Sequence, residues 1–152
     1  MISRFVLLAL LLFAAPVRAD SSGPVGFGRS EVTVATVGGA SFRFAVEVAE
    51  TPDQLHQGLM FRDAMAEDAG MLFLLGSEEV ASFWMRNTFL PLDMLFIARD
   101  GRITNVHRNA APGSTAIISS TAPVVAVLEV NAGITARLGI HGGDRVLHPA
   151  FH

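Results

Sequence analysis

The sequence predicts a mainly β protein, a small antiparallel β barrel or sandwich of about eight strands with two short α-helices. Three observations carry that expectation. Apolar and polar residues alternate with period two in several short runs, as they do in strands with one buried and one wet face. Gly, Pro, Asn and Asp separate those runs at turn positions. No strand–helix–strand rhythm and no internal repeat runs through the chain.

Residues 1–19 stand apart from the domain. Arg4 supplies a positive head, Phe5 to Ala15 an apolar segment too short to span a bilayer, and Val17-Arg18-Ala19 a small-residue cleavage site. This predicts a signal peptide, hence an exported protein, periplasmic or secreted, with no stable membrane insertion after cleavage. Residues 20–30 read as a flexible Ser/Gly/Pro leader, and 31–152 as a single β-rich domain.

Within the domain, Glu31 to Val37 and Ser41 to Val48 alternate around Gly38-Gly39, a hairpin signal. Thr51-Pro52-Asp53-Gln54 predicts a helix start, with threonine as cap, proline at the first position and glutamine completing a capping box. That helix ends near Gly58. Met71 to Leu75 is a buried-strand run, Gly76 to Val80 a turn, and Ala81 to Asn87 a returning strand. Leu92 to Ala98 resumes the sheet, and Asp100-Gly101 turns into Arg102 to Arg108. Ala111 to Ala122 is a long loop with the dimensions of a lid or a surface excursion. Val124 to Val130 follows as a strand. Asn131 caps a second helix ended by Gly139, and Gly142-Gly143-Asp144 turns into Arg145 to His148.

Composition excludes several functions. The chain has no cysteine, so no disulfide framework, lipidated cysteine or thiol nucleophile is available. All 11 basic residues are arginine; without Arg4 and Arg18, nine face 14 acidic residues, a net charge of −5. An acidic domain without basic runs is poorly suited to nucleic acid or anionic membranes. The five histidines show no metal-ligand spacing, and the methionines fall in apolar runs where they fill core gaps. No metal and no cofactor is expected. No G-x-S-x-G elbow surrounds Ser119 or Ser120.

The informative residues are charges inside apolar runs. Period two puts Trp84, Arg86 and Thr88 on one face of the expected strand, with Phe83, Met85 and Asn87 on the other. Asp93 shares a face with Leu95 and Ile97, and Glu129 with Val125 and Val127. A lone buried charge costs several kcal/mol, so such groups pair or line a cavity. One reading is a buried network of Arg62 and Arg86 against Asp93 and Glu129. The other is a binding site for a small polar or anionic envelope ligand, a saccharide or carboxylate, made by Arg62, Trp84, Arg86, Asn87, Thr88, Asp93 and Glu129. Arginine's planar fork suits anions, and indole stacks on rings. From other classes come a glycan hydrolase using Asp93 and Glu129, and a protein-interaction domain centred on Trp84.

Gly58-Leu59-Met60-Phe61-Arg62, Gly70-Met71-Leu72-Phe73, Phe83-Trp84-Met85-Arg86-Asn87-Thr88 and Pro91-Leu92-Asp93 with Phe96 form an ordered set of blocks. Val127-Leu128-Glu129, Ala132-Gly133, Leu138-Gly139-Ile140 and Gly142 with Asp144-Arg145-Val146 continue it. The set resembles the uncharacterised bacterial and archaeal family called domain of unknown function 192, from about Val32 to Val146. The resemblance implies a compact, β-rich, often exported domain, and no activity. Arg86 departs from the family's frequent lysine, and Gly142-Gly143 loosens the last turn.

Overall fold

The computed structural model describes residues 25–152. The expected signal peptide, and residues 20–24 of the expected leader, lie outside the described residues. The rest of that leader is partly strand. Gly28 already pairs with Val48, so β1 is Gly28–Ala35 and β2 is Ser41–Ala49, joined as the expected hairpin.

Helix α1, Pro52–Gln57, carries the full capping box: Gln54 N–H donates to Thr51 Oγ1, and the Gln54 side chain accepts from the Thr51 backbone. It crosses from β2 to β3, Ala69–Glu79, and these two strands run parallel. The sheet therefore contains one strand–helix–strand unit amid antiparallel pairs. β3 also runs through the expected turn at Gly76, because a register shift between Leu74 and Glu79 absorbs the bend without ending the ladder.

The remaining strands are β4 (Ser82–Phe83), β5 (Leu92–Ile97), β6 (Ile103–Ala110), β7 (Ile118–Ser119), β8 (Val124–Asn131) and β9 (Arg145–Leu147). Seven form one sheet in the order β6-β5-β8-β3-β2-β1-β9, and β4 pairs with β7 in a small second sheet. The long Ala111–Ala122 loop is thus anchored by its own strand. The large sheet curls until its two ends touch: Arg102 bridges Arg145, Ile103 N–H donates to the Asp144 carbonyl at 2.8 Å, and Val146 N–H to the Gly101 carbonyl at 2.8 Å.

Both faces of this half-barrel are covered. Val34, Phe44, Leu95, Ile103, Leu128 and Val146 meet inside the curl, where Ile134 of α2 (Ile134–Leu138) packs on them. Met71, Phe73, Met94, Phe96 and Val127 lie on the other face, under Leu59, Met85 and Ile118. Double coverage explains why β5 is apolar at every position but Asp93 and is buried throughout.

Candidate functional site

The outer face carries a cleft walled by two turns and the sheet beneath them. The first follows α1. Gly58 leaves the helix at φ 46°, and Phe61 sits in the left-handed region at φ 63°. The second is the segment after β4. Only Ser82–Phe83 is strand; Met85 N–H donates to the Ser114 carbonyl at 2.9 Å, and the Met85 carbonyl accepts from Thr88 and Gly113, each at 3.0 Å. Asn87, at φ 55°, completes the turn, and its carbonyl accepts from Phe61 N–H at 2.9 Å. A phenylalanine held left-handed is a sparsely populated, strained conformation. Phe61 and Asn87 therefore clamp the two turns together.

This geometry corrects the two-faced strand expected over Ala81 to Asn87. Period two fails there because the backbone leaves extended geometry at Asn87. Met85 is the buried anchor, Trp84 is 43% exposed, and the Arg86 guanidinium lies 5.6 Å from the Trp84 ring centroid. Thr88 is buried and donates to the Arg86 carbonyl at 3.3 Å. Trp84, Arg86 and Thr88 do share the cleft; Asn87 serves it through its backbone.

Glu129 of β8 also lines the cleft, at the core face of the sheet. It is 4% exposed, and its cross-strand neighbours on that face are Met71 and Met94, both fully buried. Among the described residues it forms no ion pair. Burial alone pushes its carboxyl up to about 8, so at neutral pH it keeps its proton. Gly70 permits the close strand approach behind it, since a Cβ there would meet the Glu129 carbonyl at 2.5 Å. His56 and Met60 line the α1 side, and Phe73 and Phe83 the sheet side, around about 50 Å³ of space.

The other two expected site residues are elsewhere. Arg62 pairs with Glu47 at 2.8 Å and lies over Phe27 at 5.7 Å. Asp93 faces the inside of the curl, because its cross-strand partner is Val130, whereas Glu129 is opposite Met94. Its Oδ1 accepts from Asn109 N–H at 2.9 Å. Its Oδ2 accepts from Gly133 N–H, Thr135 N–H and the Thr135 hydroxyl at 3.1, 3.0 and 2.7 Å. Asp93 thus caps α2 from a neighbouring strand. Asn131, expected as that cap, instead donates to the Met65 and Ala66 carbonyls. The expected arginine–carboxylate network does not form. Asp93 and Glu129, on opposite faces of one sheet, cannot flank a single glycosidic bond.

A serine–histidine contact also fails as a catalytic unit. Ser30 Oγ is 3.0 Å from His148 Nε2, but His148 Nδ1 accepts from Ala150 N–H at 3.2 Å. In neutral histidine Nε2 then carries the proton and donates to Ser30, so it cannot deprotonate the hydroxyl.

The wall residues His56, Met60, Phe73 and Phe83 lie outside the charge pattern that singled out the other candidates. The Gly58–Arg62, Gly70–Phe73 and Phe83–Thr88 blocks of the family pattern hold Met60, Phe73 and Phe83; His56 falls in none of them.

Fold and cleft define a curled β-sheet domain with a buried acid beneath a tryptophan–arginine mouth. The family model for DUF192, Uncharacterized ACR, matches residues 33–148, and the chain belongs to that family. Solved structures that share the fold include the following two. A Sinorhizobium meliloti 1021 protein, provisionally named a transcription regulator, is 50% identical, with a TM-score of 0.80 over 82% of this chain and 97% of that one. A protein of unknown function from Novosphingobium aromaticivorans DSM 12444 is 40% identical, with a TM-score of 0.78 over 90% and 94%. No curated protein matches the chain.

Proposed function

We propose that this is an exported binding or accessory domain whose cleft takes the polar head of a small ligand, with an anionic group of that ligand at Arg86. The carrying observation is Glu129, a buried carboxyl that has no ion-pair partner among the described residues and lines an accessible cleft. A fold does not hold an uncompensated acid at its core cheaply, and perturbed groups in clefts cluster at functional sites. The space admits a head group, and the rest of the ligand lies across Trp84 at the mouth. Export is supported by the charged and apolar pattern of residues 1–19. The acidic, lysine-free composition argues against carrying the regulator name over as DNA binding.

Trp84 is the sole tryptophan, so its fluorescence reports the mouth directly. Titration with a panel of carboxylates, amino acids and envelope sugars should change Trp84 emission and raise Tm for one ligand class, and Arg86→Met should abolish the response. A wild type indifferent to every class refutes the reading. The exposed edge-to-face pair Phe61–Phe89, with centroids 6.1 Å apart, favours one second reading, a protein-docking surface. That surface would capture a partner through Phe61 and Phe89 with no small-molecule response.

A further inference from the structure

Floor and mouth of the cleft differ in charge. Glu129 is the ionisable group at the floor, and its neighbours there from β3 and β5 are Met71 and Met94. The other ionisable groups lining the cleft are His56 from α1 and Arg86 from the turn after β4. The walls are aromatic: Phe73 and Phe83 pack edge to face at 5.1 Å, with Trp84 beyond. Aromatic faces carry negative potential, which attracts cations and repels anions. A buried carboxyl escapes its desolvation penalty either by holding a proton or by meeting a cation.

We propose that the cleft floor is an ammonium subsite and the ligand an amino-acid-like zwitterion, its amine paired with Glu129 and its carboxylate with Arg86. This rests on reading the cleft as a binding site and adds the ligand's class. The space of about 50 Å³ holds an ammonium or methylammonium head, since about 10–15 Å³ of such space already admits a water molecule. Thr88 Oγ1, which donates to the Arg86 carbonyl, keeps lone pairs for a second ammonium N–H. Arg86 at the mouth disfavours an amine that brings no anionic group. On binding, the Glu129 carboxylic acid gives its proton to solvent and the carboxylate pairs with the incoming ammonium, so charge and atoms balance.

The test is calorimetry of the whole domain with α-, β- and γ-amino acids, acetate and methylammonium, in two buffers of different ionisation enthalpy. Trp84 emission is followed in parallel. One amino acid should bind at least about tenfold more tightly than acetate and release about one proton at pH 7. Its affinity should rise by up to about tenfold per pH unit between pH 6 and 8. Glu129→Gln, a neutral isostere, should bring that affinity down to the acetate level. Acetate binding as tightly as every amino acid, or binding with proton uptake, overturns the ammonium subsite while leaving the cleft a binding site. No response to any probe overturns both. The wild-type proton count decides the matter even if the variant fails to fold.

Discussion

Asp93 and Glu129 are buried acids on adjacent strands, and the sheet treats them in opposite ways. Asp93, 0% exposed, accepts four hydrogen bonds and joins β5 to α2 and to Asn109. Among the described residues Glu129 forms no ion pair, and its carboxyl opens on the cleft. Buried polar groups are almost always satisfied, so the first belongs to the architecture and the second calls for another explanation. Burial by itself therefore does not separate a structural acid from a candidate site; the partners do.

The strongest way to break this comparison is at Asp93. Asp93→Ala strands two backbone N–H groups of the α2 entry and that of Asn109, and should cost about 3–5 kcal/mol in urea unfolding. Faster amide exchange in α2 should accompany it. A loss below about 1 kcal/mol would make Asp93 as dispensable as a surface acid. Glu129→Gln tests the other half. The folded carboxyl is raised from 4.5 to about 8, so its stability contribution is full below the unfolded value and declines as pH rises through the folded one. Relative to Glu129→Gln, wild type should lose up to about 1.4 kcal/mol per pH unit across that window, read from Tm against pH. Parallel curves for the two proteins would show that Glu129 has a partner. Thr135→Val removes one hydroxyl donor from Asp93 and should cost about 1–2 kcal/mol by the same unfolding measurement. The smallest effect belongs to Arg86→Met. It loses an exposed contact with Trp84 and should shift stability by about 1 kcal/mol or less, while ligand response disappears.

Local chemistry was legible in the sequence wherever a motif closes on itself. The Thr51–Gln54 capping box, the β1–β2 hairpin and the Asp100-Gly101 turn need only neighbours in sequence, and each forms as expected. The failures involve distant partners. Asn131 has the chemistry of a helix cap, but the α2 N-terminus receives its acceptor from Asp93, some forty residues upstream. Asp93 and Glu129 each stood out as charges in apolar runs, yet sequence period could not reveal that their strands pair one residue out of phase across opposite faces. The Trp84–Thr88 turn was hidden for a similar reason. Its conformation is imposed by the Ser114 and Gly113 backbone, and its own alternation mimics a strand. Arg62 carried the right charge, but Glu47 on β2 takes it.

The position of β8 bears on the order in which the domain can be completed. The strands of the large sheet that precede it form two separate blocks, β1-β2-β3 and the β5–β6 hairpin, and β8 is the plank between them. As the chain is made from its N-terminus, the apolar edges of β3 and β5 wait uncovered until residues 124–131 arrive. The strand that supplies Glu129 is thus also the keystone, and a chain interrupted before it leaves two sticky half-sheets with no shared core. A domain so built stays dependent on whatever shields nascent chains until its last quarter has been synthesised.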